Sequence, residues 1–148
     1  MKRKKVLFVC TGNTCRSPMA EALLRAEIKK RKIKWWDVAS RGISAETCGT
    51  LSQNSRIALE ELGINVSGFK PRQLTREMIT NSALVVAMTE QQKACLGDKG
   101  NVRCIKEFCG YDVPDPYGCG PEVYKMTRDI IKIACDNIIK EFILKYEE

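Results

Sequence analysis

The chain has 148 residues, 44% hydrophobic and 29% charged, with 25 Lys and Arg against 18 Asp and Glu for a net charge of +7. That length predicts one domain over 1–148 with a core that needs no covalent staples, and the composition lies outside the disordered regime. There is no histidine, which excludes Ser-His-Asp and Cys-His nucleophile pairs, His-ligated zinc and any imidazole acid or base. Any reaction must therefore use Cys, Asp, Arg, Lys or backbone groups. Eight cysteines would suit a secreted disulfide scaffold, but the apolar run behind the basic Lys2–Lys5 stretch spans only Val6 to Cys10, too short for a secretory signal. No stretch reaches the roughly 18 apolar residues of a membrane helix. These features predict a cytoplasmic protein with mostly reduced thiols.

Val6-Leu7-Phe8-Val9 reads as a buried parallel strand. The polar run Cys10 to Arg16 follows as a tight loop, and Ser17 and Pro18 supply a helix N-cap and first helical residue. Met19, Ala22, Leu23, Ala26 and Ile28 form an apolar stripe, and the helix closes on Lys29 to Lys32, cations that suit a helix C-terminus. A second strand spans Trp36 to Ser40. A second helix runs from Ser52 to Leu62, with Ile57, Ala58, Leu59 and Leu62 expected inward and Gly63 as its stop. A short helix follows near Thr75 to Asn81. Ala83 to Met88 is another buried strand, and Thr89 caps a helix from Glu90 to Leu96. Val102 to Ile105 is a short strand, and a Gly/Pro-rich loop covers Glu107 to Pro121. The last helix, Glu122 to Lys145, carries Val123, Met126, Ile130, Ile133, Ala134, Ile138 and Phe142 at helical spacing. Strands alternating with helices predict an α/β protein, a three-layer sandwich on a parallel sheet.

Ligands of such sheets bind at the carboxyl ends of the strands, where the loop from Cys10 to Arg16 sits, directly before a helix N-terminus. Five intervening residues let successive backbone N–H groups converge on one anion, and the Arg16 fork can hold two phosphate oxygens. The same positive field favours a thiolate at Cys10. A thiolate facing a bound phosphoryl group is the start of covalent phosphoryl transfer. In the second half of the chain, Asp115 and Asp112 compete as general acid. Pro116 and Tyr117 favour Asp115, because a fixed φ and an aromatic wall suit a loop that faces substrate.

The run Val9-Cys10-Thr11-Gly12-Asn13-Thr14-Cys15-Arg16-Ser17-Pro18-Met19-Ala20-Glu21 resembles the phosphate loop of low-molecular-weight protein tyrosine phosphatases. Asp115-Pro116-Tyr117 stands where that family carries its acid loop, just before the last helix. The resemblance spans essentially the whole chain and implies a four-stranded parallel sheet of order 2-1-3-4. It assigns Cys10 as nucleophile, Arg16 as phosphate binder and transition-state stabiliser, and Asp115 as general acid. Thr11, Gly12, Asn13, Thr14, Cys15 and Ser17 complete the phosphate-binding loop. Ser17 resembles the hydroxyl that bonds the thiolate, and Asn13 and Ser40 resemble the residues that brace the loop. Cys15 resembles the neighbouring thiol that guards the nucleophile from over-oxidation. A histidine that braces the loop in some relatives has no counterpart, since Ser67-Gly68 occupies that region.

Thr14 departs from the bulky aliphatic residue usual in the tyrosine-specific members and resembles the protein-arginine phosphatase branch. With Tyr117 it is the expected selectivity determinant, because a small hydroxyl side chain admits a polar guanidinium phosphorus centre. Trp35 and Trp36 read as packing residues, and Tyr111 is a second aromatic near the site. The expectation is hydrolysis of phosphoarginine in proteins, with phosphotyrosine as the alternative substrate. Thioredoxin-coupled arsenate reduction is a weaker alternative, because Thr89 stands where the first of two extra redox cysteines is required and Cys95 has no partner at that spacing. Cys48, Cys95, Cys104, Cys109, Cys119 and Cys135 lack the paired spacing of zinc sites, so no metal and no cofactor is expected. The basic cluster over residues 25–34 reads as a solvated face without a nucleic-acid signature. The expected partners are phosphorylated proteins, with phosphate and other oxyanions as product or inhibitors, and the chain is expected to be a monomer without nucleic-acid or membrane partners.

Overall fold

A computed structural model describes residues 2–146; the remainder of the expected span 1–148, Met1, Glu147 and Glu148, lies outside the described residues. Four strands, β1 (Lys4–Cys10), β2 (Trp36–Gly42), β3 (Leu84–Ala87) and β4 (Val102–Cys104), form one sheet of order β2-β1-β3-β4. All three pairings are parallel, with Cys10 beside Gly42 and Val9 beside Ala87. Between them run α1 (Arg16–Lys30), α2 (Gln53–Glu60), α3 (Arg76–Asn81), α4 (Glu90–Cys95), α5 (Lys106–Cys109) and α6 (Pro121–Ile138). Helix α6 continues through a π-helical turn at Ile139–Ile143 into α7 (Leu144–Tyr146).

Successive strand residues face opposite sides of a sheet, and each side here has its own core. Val6, Phe8 and Cys10 of β1 and Leu84 and Val86 of β3 pack with α1 and α6. Leu7, Val9, Val85 and Ala87 point the other way, onto Ile79 and Leu96. The expected three-layer α/β/α sandwich is thus built on strands buried on both faces. Because β2 and β3 flank β1, the order reverses at β1, and its carboxyl end is the crevice where such sheets bind ligands. Among the described residues no helix is long and apolar enough to cross a membrane.

Several local expectations are corrected. Helix α1 begins at Arg16, two residues earlier than expected, and its N-terminal flanking residue Cys15 makes no side-chain cap; the Ser17 hydroxyl is bonded to Asn13 and Cys10 instead. Helix α2 buries Ala58 and Leu59 but leaves Ile57 41% exposed, and it ends at Glu60, so Leu62, expected inward, lies beyond it at 42% exposure. Helix α6 turns Tyr124, Thr127, Arg128, Ile131, Ala134, Cys135 and Ile138 inward, whereas Val123, Met126 and Ile133 are exposed. Buried Arg128 is tolerated because it donates to Ala58 O and pairs with Glu61 and Asp129, which removes the penalty of an unpaired charge. One turn of helix, α5, interrupts the expected loop after β4; Phe108 anchors it and Gly110, at φ 98°, ends it. Trp36 is buried edge-on against Phe142 and Tyr146, while Trp35 is 39% exposed.

Candidate active site

The loop from Thr11 to Cys15 joins the end of β1 to α1. The segment following β2 clasps it from outside: Ile43, Ser44, Glu46 and Ser52 donate backbone N–H groups to the carbonyls of Cys10, Thr11, Gly12 and Thr14, at 2.9, 2.9, 3.1 and 2.9 Å. Peptide planes whose carbonyls are held outward turn their N–H edges inward. Among the described residues, none of the backbone N–H groups from Thr11 to Cys15 donates to a protein carbonyl. N–H groups that converge inward without a protein acceptor make a concavity that suits an anion with several oxygens. The clasp depends on close approach at Gly42, where a Cβ would lie 2.7 Å from Thr11 O and 3.0 Å from Ala45 Cα.

Asn13 takes the left-handed conformation, φ 60°, that Asn tolerates better than most residues. Fully buried, it accepts from Arg72 N (2.9 Å) and donates to Ser17 Oγ (2.8 Å) and Ser40 Oγ (3.0 Å). The Arg72 N–H fixes which end of the amide is oxygen. Ser40 in turn donates to Glu21 (2.6 Å), which pairs with Arg25 at 2.7 Å. With Asn13 donating to it, the Ser17 hydroxyl keeps its proton for Cys10 Sγ, 2.8 Å away. Of the sequence-predicted bracing pair, Asn13 therefore sits one hydrogen bond behind the Cys10–Ser17 contact and Ser40 two.

A cavity of about 270 Å³ opens over the loop, lined by Cys10, Thr11, Gly12, Thr14, Cys15 and Arg16 on one side and by Ser44, Glu46, Asp115 and Tyr117 on the other. Arg16 is 6% exposed and donates to Val113 O at 3.0 Å, which ties the phosphate loop to the loop carrying the candidate acid. Val113 is itself held by its N–H on Met88 O. One Asp115 carboxylate oxygen lies 3.8 Å from Arg16 and the other accepts from Tyr117 N at 3.0 Å. Tyr117 is 77% exposed at the rim. Asp112, the competing acid, faces away: it accepts from Glu90 N and from the Cys104 thiol. Cys15 Sγ is buried against Tyr124 Oη at 3.7 Å, and burial, with the neighbouring thiol, raises the Tyr124 phenol above its ordinary value.

Ser44, Glu46 and Arg72 carry no motif that names them as site residues, and Gln92 carries only a helix-capping spacing. Gln92 donates to Thr11 Oγ1 at 3.1 Å while its oxygen accepts from Met88 N. The Thr89-x-x-Gln92 spacing of a capping box is the signal that marks it, and Thr89 does accept from Gln92 N. Glu90, Cys104 and Asp112 place ligand atoms within 4.8 Å of one another and are the one such group among the described residues. Burial, aided by these two acids, pushes the Cys104 thiol up to about 12.

The profile of the family described as low molecular weight phosphotyrosine protein phosphatase matches residues 5–147. The chain is 35% identical over 144 residues to the protein-arginine-phosphatase of Bacillus subtilis, covering 92% of this chain and 95% of that one. It is 36% identical over 138 residues to arsenate reductase of Staphylococcus aureus, covering 93% and 97%. Among solved structures, a low molecular weight protein tyrosine phosphatase from T. tengcongensis superposes with a TM-score of 0.88 at 37% identity, over 94% of this chain and 99% of that one. A mutant of the YwlE arginine phosphatase with a phosphorylated active site serine superposes with a TM-score of 0.86 at 34% identity, over 94% and 95%. The chain belongs to the low molecular weight phosphotyrosine protein phosphatase family and is a cysteine-dependent protein phosphatase.

Proposed function

We propose that the protein hydrolyses phosphoarginine in proteins through a phosphocysteine on Cys10, with Asp115 as general acid. The observation that carries the substrate assignment is the cavity wall. Thr14, small and hydroxylated, stands on it with the carboxyl groups of Glu46 and Asp115. That wall offers polar contact and negative charge to a guanidinium, and no bulky aliphatic surface to an aryl ring. The 35% identity to a protein-arginine-phosphatase supports the same reading.

In the first step the phosphoryl group sits on the inward N–H groups of the loop and on Arg16. The Cys10 thiolate attacks phosphorus in line, the phosphorus–nitrogen bond breaks, and the Asp115 proton goes to the departing guanidine nitrogen. In the second step a water oxygen attacks the phosphocysteine and Asp115 takes the water's proton. Phosphate leaves, and the released thiolate is met by the Ser17 hydroxyl. The phosphorylated active site serine in the YwlE mutant supports a phosphoenzyme of this kind. Asp115 rather than Asp112 is the acid in this scheme because only Asp115 lines the cavity. Phosphorylated proteins are the substrates, phosphate and similar oxyanions are product and inhibitors, and the enzyme works as a cytoplasmic monomer without cofactor or metal.

Phosphotyrosine is the second reading, favoured by the tyrosine phosphatase from T. tengcongensis and by the aromatic rim at Tyr117. Arsenate reduction is weaker despite the arsenate reductase relative, because the position that would hold the first shuttle cysteine is Thr89, the cap of α4. The deciding experiment compares kcat/KM on phosphoarginine and phosphotyrosine peptides for wild type and Thr14→Ile. A wild-type preference for phosphoarginine that falls or inverts in Thr14→Ile is expected. A wild-type preference for phosphotyrosine, or an unchanged preference in the variant, overturns the arginine assignment.

A further inference from the structure

A second concavity of the molecule is larger than the one above Cys10. A groove of about 960 Å³ lies between α1 and the segment from Gly63 to Arg72, at the upper end of the range for small-molecule sites. Six cations line it: Arg25, Lys29, Lys30, Arg41, Lys70 and Arg72, against Glu21 as the one acid. Glu21 is already committed to Arg25 and to the Ser40 hydroxyl. Among the described residues Lys29, Lys30, Arg41, Lys70 and Arg72 form no ion pair, and Glu21 reaches Arg41 only as a longer-range attraction. Burial and the charge of Arg72 both lower the Arg41 guanidinium from its ordinary value, as expected where like charges face a shared concavity. Leu51, Val66 and Phe69 add apolar and aromatic surface to the same walls. Part of the basic cluster over residues 25–34, Arg25, Lys29 and Lys30, thus lines a groove while remaining solvent-exposed.

We propose that this groove binds an organic polyanion, a small molecule carrying two or more phosphate charges on an apolar or aromatic body, and that occupancy is felt at the phosphate loop. Concave walls of one sign focus the field and raise the local concentration of counter-charged ligand. Guanidinium groups suit phosphate oxygens, and the apolar patch suits a planar ring. A second extended protein chain fits less well, because the cations and the apolar side chains converge on one groove between α1 and the Gly63–Arg72 segment. The route to the active site is short. The Arg72 peptide, on the groove wall, donates its N–H to Asn13 and accepts from Gly42 N at 2.9 Å. Ser40 and Glu21, two further members of the bracing network, line the groove as well.

The probe is ATP, titrated calorimetrically into the Cys10→Ser protein with saturating inorganic phosphate present to fill the phosphate loop. Saturable binding that persists in phosphate is expected, weakened about tenfold or more in Lys29→Ala/Lys70→Ala. Both lysines are exposed and outside the catalytic machinery, so circular dichroism and basal hydrolysis of p-nitrophenyl phosphate should be unchanged in that variant. Adenosine alone and tripolyphosphate alone should each bind more weakly than ATP. In the otherwise wild-type enzyme ATP should change kcat for p-nitrophenyl phosphate with little change in KM, and the double variant should lose that response. Displacement of ATP by phosphate, binding indifferent to the two lysines, binding of an acidic peptide in place of ATP, or a kcat that ATP leaves unchanged overturns the proposal. p-Nitrophenyl phosphate is used because its turnover does not depend on the arginine assignment.

Discussion

Replacing Asn13 by alanine tests the bracing of the phosphate loop at its centre. The substitution deletes three hydrogen bonds in a fully buried position, to Ser17, Ser40 and Arg72 N. Each contributes about 0.5–1.5 kcal/mol net. It also places alanine at φ 60°, where an L-residue without a local bond loses about 1–2 kcal/mol. Asn13→Ala should therefore lose about 2.5–6.5 kcal/mol of stability. Asn13→Gly, which lacks the bonds but accepts the dihedral, should recover about 1 kcal/mol of it. Urea denaturation followed by circular dichroism measures both variants. Turnover should fall in both, since Ser17 loses the donor that directs its proton to Cys10 Sγ. An Asn13→Ala protein within about 1 kcal/mol of wild type, with turnover intact, would refute the bracing argument.

Three further outcomes follow from other parts of the molecule. Gly42→Ala should cost about 1–3 kcal/mol and depress turnover, because the added Cβ meets backbone atoms at Thr11 and Ala45 that cannot swing aside; a urea midpoint equal to that of wild type would contradict this. Hydrogen bonds from Lys125 and then Arg128 hold Glu61 below its ordinary value of 4.5, so its contribution to stability is present above that value and lost as pH falls through the lower folded one. Urea melts at pH 6 and pH 3 should then show a smaller pH loss for Glu61→Gln than for wild type, and equal losses would remove the assignment. In iodoacetamide labelling at pH 8 read by mass spectrometry, exposed Cys48, Cys95 and Cys119 should react early. Cys104, held near 12, and Cys135, raised by complete burial, should react last; early labelling of Cys104 would contradict its burial.

The sheet was legible because its strands are buried on both faces and so read as unbroken apolar runs. Leu84-Val85-Val86-Ala87 needs no alternation, since Leu84 and Val86 serve one core and Val85 and Ala87 the other. Helix faces were less legible where a helix offers two apolar stripes. In α6 the stripe through Val123, Met126 and Ile133 is outward, because the stripe through Ile131, Ala134 and Ile138 can also seat Thr127 and Arg128 with satisfied bonds. Ser17 looked like a cap because its type and place suit one, yet its hydroxyl is used across the loop by Asn13 and Cys10. At the site, the residues contiguous with Cys10 and Arg16 could be read from spacing. Ser44, Glu46 and Arg72 could not, since they meet the loop largely through backbone N–H groups, which leave no trace in residue type. Between Asp112 and Asp115 the sequence offers only their neighbours, which favour Asp115; the fold adds a difference of direction, Asp112 toward Cys104 and Asp115 lining the cavity.

In the proposed mechanism the phosphoryl group passes through Cys10. Rapid acid quench of the enzyme turning over a phosphoarginine peptide, followed by peptide mass spectrometry, tests it most directly. A phosphoryl group on Cys10 that accumulates in Asp115→Asn is expected, with turnover abolished in Cys10→Ser and the fold retained. A phosphoryl group on any other residue, or turnover persisting in Cys10→Ser, would contradict it.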